Sequence, residues 1–140
     1  MYHKIILVGN LGRDPEMRYT PSGTAVTNFS MATSEHWTGQ DGQPQERTIW
    51  WRVSVFGKSG EACKNFLKKG SKVLVEGRMN ADASGNPRIW TRQDGSAGAS
   101  FEVTALSVKF LSSRGEGGGS MPGGEMLDAE PPHDETEIPF

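Results

Sequence analysis

Residues Thr48 to Lys58 read TIWWRVSVFGK. At period two, the spacing of a strand with two distinct faces, the stretch divides cleanly. Ile49, Trp51, Val53 and Val55 form one face, wholly apolar and suited to a core or a subunit interface. Thr48, Trp50, Arg52, Ser54 and Phe56 form the other, with Lys58 just beyond. Aromatic and basic side chains in alternation make a poor core face and a poor plain solvent face. They suit a surface that stacks flat rings and neutralises phosphates. Stacking a base on an aromatic ring is worth about 1–3 kcal/mol and works with every base. The competing reading is that Trp50 and Phe56 pack under a loop or in a protein interface, the commoner fate of strand aromatics.

A chain of 140 residues has room for one ordinary domain. Hydrophobic residues make up only 34%, diluted by 18 glycines and 8 prolines, so part of the chain is expected not to fold. The net charge of -2 hides an asymmetry. Up to Leu111 there are 14 basic against 10 acidic side chains; from Ser112 onward there is 1 against 7. A basic body with an acidic tail fits an anion-binding domain carrying a separate interaction segment. Terminal charge that merely aids solubility is the plainer alternative. Cys63 is the only cysteine, which excludes an internal disulfide and points to a reducing compartment. The opening MYHKIILVG has four consecutive apolar residues, too few for a signal-peptide core or a membrane span. A cytosolic protein is expected.

Around the organising strand the chain reads mostly as β. Lys4 to Val8 is a buried strand, broken by Gly9-Asn10-Leu11-Gly12 and Asp14-Pro15. Met17 to Tyr19 is a short strand before the turn Pro21-Ser22-Gly23. Thr24 to Thr33 is a long strand with Ala25, Thr27, Phe29 and Met31 on one side. His36-Trp37 follows, then the polar loop TGQDGQPQER. Ser59 to Lys69 switches to helical spacing, with Ala62, Cys63, Phe66 and Leu67 as its stripe. Ser59 or Gly57 is the candidate cap, and Lys68-Lys69-Gly70 the C-terminus. Cys63 then packs within the helix. Ser71 to Met79 is a strand, Asn80 to Pro87 turns, Arg88 to Thr91 a short strand and Gln93 to Ser100 a glycine-rich turn. Phe101 to Leu111 closes the body. Phe101, Val103 and Ala105 share a face, whereas Leu106, Val108 and Phe110 change parity, which predicts a bulge.

About five strands with one short helix between the third and fourth long strands is the order of an OB-fold. The expected class is therefore all-β, a five-stranded Greek-key barrel over residues 1–111. Residues 112–140 begin SSRGEGGGSMPGG, a flexible-linker composition, and are expected to form a disordered acidic tail. The tail ends Asp134-Glu135-Thr136-Glu137-Ile138-Pro139-Phe140. Acidic residues before two large apolar ones, with Phe140 carrying the terminal carboxylate, suit docking into a pocket lined by Arg or Lys.

No catalytic or cofactor chemistry is legible. His3, His36 and His133 do not pair with one another or with Cys63 at metal-ligand spacing. No GxxxxGK[ST], GxGxxG or GxSxG motif is present. No metal, cofactor or enzymatic activity is expected.

The residues as a set resemble the bacterial-type single-stranded DNA-binding protein family. The matching pieces are ILVGNLGRDPEMRYTPSG (Ile6 to Gly23), MATSEHW (Met31 to Trp37), WWRVSVFGK (Trp50 to Lys58), LKKGSKVLVEGRM (Leu67 to Met79) and the EIPF ending. They run in the family's order over nearly the whole body. The resemblance implies a homotetramer of OB-fold subunits with DNA wrapped outside, in a bacterial cytoplasm with the nucleoid. It places Trp37, Trp50 and Phe56 at base-stacking positions and Lys58 at a basic one beside the DNA. Arg52, Lys68 and Lys69 are candidate phosphate contacts against the alternative of solvated charge; Lys72 has weaker support. Trp90 matches a stacking tryptophan in the late hairpin. Here ADASGNP lengthens that hairpin, so a different aim for Trp90 is open. Trp51 departs from the small or polar residue usual there and is read as packing, at a subunit interface. The tip Asp134, Glu135, Glu137, Ile138, Pro139 and Phe140 resembles a docking motif for replication, recombination and repair proteins. Two other readings stay open: an RNA-binding OB protein, and a protein–protein adaptor that buries Trp37, Trp50 and Phe56 against a partner.

Overall fold

The computed structural model describes residues 2–112. In chain order the elements are β1 (Ile5–Leu11), β2 (Glu16–Tyr19), β3 (Ala25–Thr38), β4 (Pro44–Phe56), α1 (Gly57–Phe66), β5 (Lys72–Met79), β6 (Ile89–Thr91), β7 (Ala97–Ala99) and β8 (Phe101–Phe110). The main sheet runs β1-β5-β8-β4-β3-β2, and an additional β1–β3 pairing closes it. Five strands thus form a barrel, and β2 extends β3 outside the seam. All pairings are antiparallel except β4 with β8, which is parallel. β6 and β7 form a separate hairpin. The expected OB-fold barrel with one helix is the fold observed. The acidic segment from residue 113, with its tip, lies outside the described residues.

Alternation fills the barrel as the sequence requires. Phe29, Met31, Val53, Val55, Val73, Val75 and Val103 are buried in one cluster with Leu7, Leu11, Cys63, Leu67 and Ala105. The set Ala25, Thr27, Phe29 and Met31 faces inward throughout. Thr27 stays satisfied there because its hydroxyl donates to the Gly60 carbonyl at 2.7 Å, tying β3 to the helix. The predicted change of parity in the last strand is present. The β5–β8 register slips between Glu76 and Gly77, leaving Leu106 as the extra, exposed residue. Val108 then returns to pack on the core.

Strand boundaries differ from expectation in three places. β1 does not stop at Val8. Gly9 and Asn10 pair with Val73 and Lys72, and Asn10 and Leu11 pair with Ala32 and Met31. Gly9 permits this because a Cβ there would collide with the Ala32 carbonyl. Nor is β1 buried along its length, since Leu7 points in while Ile6 and Val8 are exposed. Second, half of TGQDGQPQER is not loop. β3 runs to Thr38 and β4 starts at Pro44, so the two strands form a long hairpin arm with a turn at residues 39–43. Similarly, residues 97–99 of the expected glycine-rich turn pair with β6.

The helix is displaced towards the N-terminus and ends at Phe66 rather than Lys69. Phe56 occupies the N-cap position without a side-chain cap, so neither Ser59 nor Gly57 caps it; Gly57, at φ +68°, turns the chain into the helix. Leu67 leaves in an extended conformation and buries its side chain, and Gly70 at φ +87° reverses the chain towards β5. Phe66, predicted in the buried stripe, is 62% exposed, with its ring centroid 6.4 Å from that of Phe110. Cys63 packs in the core as expected, and burial pushes its thiol up to about 11.

Candidate nucleic-acid interface

The outward face of β4 carries the predicted pattern. Trp50, Arg52 and Phe56 are exposed, while Val53 and Val55 on the alternate face are buried. Trp50 is 55% exposed and lies against Gly12, where an added Cβ would collide with its ring. The Gly12 N–H donates to the Ser30 carbonyl at 3.0 Å, which holds the β1–β2 loop beside that ring. Two residues on, the Arg52 guanidinium carbon stands 5.1 Å from the centroid of the Trp90 ring, a cation–π distance. Trp90 is half-buried in β6 and rests on Gly98 across its hairpin. The lengthened hairpin therefore still delivers Trp90 to the β4 face. Ser54 is held by donating to Asn28 Oδ1 at 2.7 Å. Phe56 ends the strand, half-exposed, and Lys58 follows in the first turn of α1, exposed.

Trp37 stands elsewhere. In the β3–β4 ladder Ala32 opposes Trp50 and Ser34 opposes Thr48, whereas Trp37 opposes Gln45. Alternation therefore puts Trp37 on the same side of the ribbon as Ile49 and Trp51, opposite Trp50. The Arg47 guanidinium carbon lies 5.6 Å from the Trp37 ring centroid. Arg47 also donates through Nε and Nη2 to Glu35 Oε2, at 3.2 and 2.6 Å. Trp51 is a packing residue within its own chain. Its indole N–H donates to Thr33 Oγ1 at 2.9 Å, and its ring sits 5.2 Å from Phe101, tilted by 43°.

The expected lysines are less tightly gathered. Lys68 and Lys69 lie past the helix end, exposed, and the Lys69 backbone N–H donates to Asp14 Oδ1 at 2.8 Å. That bond anchors their turn to the β1–β2 loop rather than to β4. Lys72 lies on β5 opposite Asn10.

Three arginines that sequence reasoning did not single out stand closer to the face. Arg13, Arg18 and Arg88 line one groove of about 400 Å3 together with Arg52, Asn28 and Ser54. Glu16 and Glu102 share it, and Glu102 approaches Arg88 at 3.8 Å. No local period marks these arginines, because a loop, a four-residue strand and a hairpin stem supply them. Among the described residues no cluster of His, Cys, Asp and Glu could hold a metal ion, and no helix is long and apolar enough to cross a membrane. The proposed docking residues Asp134, Glu135, Glu137, Ile138, Pro139 and Phe140 lie outside the described residues.

A closed five-stranded barrel with one helix, here presenting aromatic rings and arginines on an open sheet face, is an OB-fold. The single-strand binding protein family model matches residues 2–111, and the chain belongs to that family. The single-stranded DNA-binding protein of Neisseria meningitidis serogroup A is 42% identical over 120 residues, covering 86% of this chain and 66% of the relative. That of Xanthomonas axonopodis pv. citri is 45% identical over 115 residues, covering 82% and 61%. The chain thus spans less than two thirds of the length of these relatives. Among solved structures, a deletion mutant of the single-stranded DNA binding protein from Thermus aquaticus superimposes with TM-score 0.62 at 30% identity, covering 80% of this chain and 51% of the other. A Plasmodium falciparum SSB in complex with ssDNA gives TM-score 0.65 at 25% identity, covering 80% and 96%.

Proposed function

We propose that the protein binds single-stranded DNA without regard to sequence and without catalysing a reaction on it. The observation that carries this reading is the run Trp50, Arg52 with Trp90 over it, and Phe56 along one open strand face. Rings accept bases of any identity, and guanidinium groups accept phosphates. Trp37, Trp50, Phe56 and Trp90 stack bases; Arg52, Lys58, Lys68 and Lys69 contact phosphates, joined by Arg13, Arg18 and Arg88. Residues 1–111 form the DNA-binding domain, assembled as a homotetramer. Residues 112–140 are an acidic segment whose tip recruits replication, recombination and repair proteins. The site of action is the bacterial cytoplasm, at the nucleoid. Family membership and the ssDNA complex of a structural neighbour support the nucleic-acid part; the tail composition supports recruitment.

The test is tryptophan fluorescence during titration with long oligo-dT, at low and high salt. Stacking predicts strong quenching at a sharp stoichiometry, weakened by salt as phosphate contacts release counterions. Trp50→Ala should weaken binding by about 1–3 kcal/mol with the fold intact. No quenching by a folded protein would replace this reading with the adaptor. Tighter binding of an RNA oligomer of equal length would replace DNA with RNA. Deleting residues 112–140 should leave DNA affinity equal or higher and abolish partner recruitment; much weaker DNA binding would overturn the tail's assignment.

A further inference from the structure

Trp37 and Trp50 lie on opposite sides of the β3–β4 ribbon by register, so a single strand that stacks on both has to pass over one edge of the ribbon or its tip. β4 offers such an edge. β8 pairs with it only from Trp51 to Val55, and among the described residues no strand pairs with that side of the arm before Trp51. Where β8 begins there is a groove of about 620 Å3. Its lining includes the successive residues Trp50 and Trp51, with Phe101, Arg13, Arg47 and Arg52. Two neighbours in a strand point to opposite faces, so a groove lined by both straddles the edge.

We propose that the Trp51–Phe101 pair is a further nucleobase subsite, through which bound single-stranded DNA passes from the Trp50 face to the Trp37 side of the arm. The inference rests on the DNA-binding reading and deepens it. Three features fit a nucleotide. Phe101 is 51% exposed, leaving its ring open, while Trp51 behind it is fixed by the bond to Thr33 and by the core. Among the described residues three arginines and no carboxylate line the groove, matching a phosphodiester, and of the three only Arg47 is shared with a carboxylate, that of Glu35. The groove is also continuous with the proposed face at both ends, through Trp50 and Arg52 at one and through Arg47 beneath Trp37 at the other. A second copy of this chain seated on Trp51 and Phe101 is the rival occupant.

The experiment compares the full chain with Phe101→Ala, Phe101→Tyr and Trp50→Ala. Thermal unfolding, molar mass by light scattering, and affinity for fluorescently labelled oligo-dT are measured on each. Phe101 is half-exposed, so its removal should lower the unfolding temperature only slightly and leave molar mass unchanged. Affinity should fall about tenfold, the scale of one lost stack, and Phe101→Tyr should restore it. Unchanged affinity in Phe101→Ala would overturn the subsite. So would a loss of affinity accompanied by a fall in molar mass, which would assign the groove to a neighbouring subunit. If the unaltered protein does not bind oligo-dT, or Trp50→Ala binds as well as it does, the DNA-binding reading itself fails. If Trp50→Ala alone weakens binding, only the subsite fails.

Discussion

An alanine at position 12 would drive its Cβ into the Trp50 ring. The ring is half free and can swing away, so the substitution should change stability by no more than about 0.5 kcal/mol. The displaced ring no longer presents the same plane, and affinity for oligo-dT should fall roughly fivefold, about 1 kcal/mol. Equal affinity for Gly12→Ala and the parent would show that Trp50's placement is immaterial to binding. Cys63 makes a second residue-scale prediction. Burial raises the folded-state thiol to about 11, above its ordinary value of 9.0. The folded chain therefore holds this proton where the unfolded chain has released it. Its contribution to stability is complete below about pH 9 and is lost as the pH rises towards 11. Chemical denaturation from pH 8 to 11 should show a steeper decline for the parent than for Cys63→Ala, in which that titration is absent. Parallel slopes would contradict the burial assignment. At this scale the legible residues are those on β4, where alternation alone separates Trp50, Arg52 and Phe56 from Val53 and Val55. Arg13, Arg18 and Arg88 were illegible because tertiary pairing decides which way they face.

Single strands fix how the barrel closes. At the seam, Asn10 and Leu11 of β1 meet Ala32 and Met31 of β3, next to the point where Gly9 admits the Ala32 carbonyl. Gly9→Ala has backbone, not a flexible side chain, to push against. It should cost about 1–3 kcal/mol in urea denaturation, the usual price of overpacking, while a surface glycine-to-alanine change at a turn tip would leave the seam untouched. A midpoint equal to the parent's would mean that β1 and β3 do not close as described. The hairpin arm explains the largest misreading of the sequence. Residues Pro44 to Arg47 look like loop because they are polar and follow Gly/Pro turns, yet they pair with Glu35 to Thr38. Their polarity reports that none of the described residues covers the arm, not that the backbone is irregular. By contrast the bulge at Leu106 was legible, since a change of parity within one strand has few other causes. The side of the arm on which Trp37 stands was not, because it depends on a register that starts at the far end of the hairpin.

For the molecule as a whole, order and composition revealed the architecture while leaving the surface pathways open. Five long apolar-alternating segments and one helical stripe suffice to specify an OB-fold order. They do not say that the late hairpin will fold back until Trp90 meets Arg52, a contact between residues 38 positions apart. The position of β8 has a consequence for the history of the chain. The last strand of the body is wedged between β5 and β4 and, among the described residues, is the strand that hydrogen-bonds to both. Before Phe101–Phe110 is available, β4 and β5 each present a bare row of backbone donors and acceptors beside hydrophobic side chains. A chain emerging from a ribosome can form the β3–β4 hairpin and the β1–β5 pair early, but it cannot seal the barrel until its last strand is free. Sealing of this domain waits on its last strand, and the interval before it is when a chaperone would have something to hold.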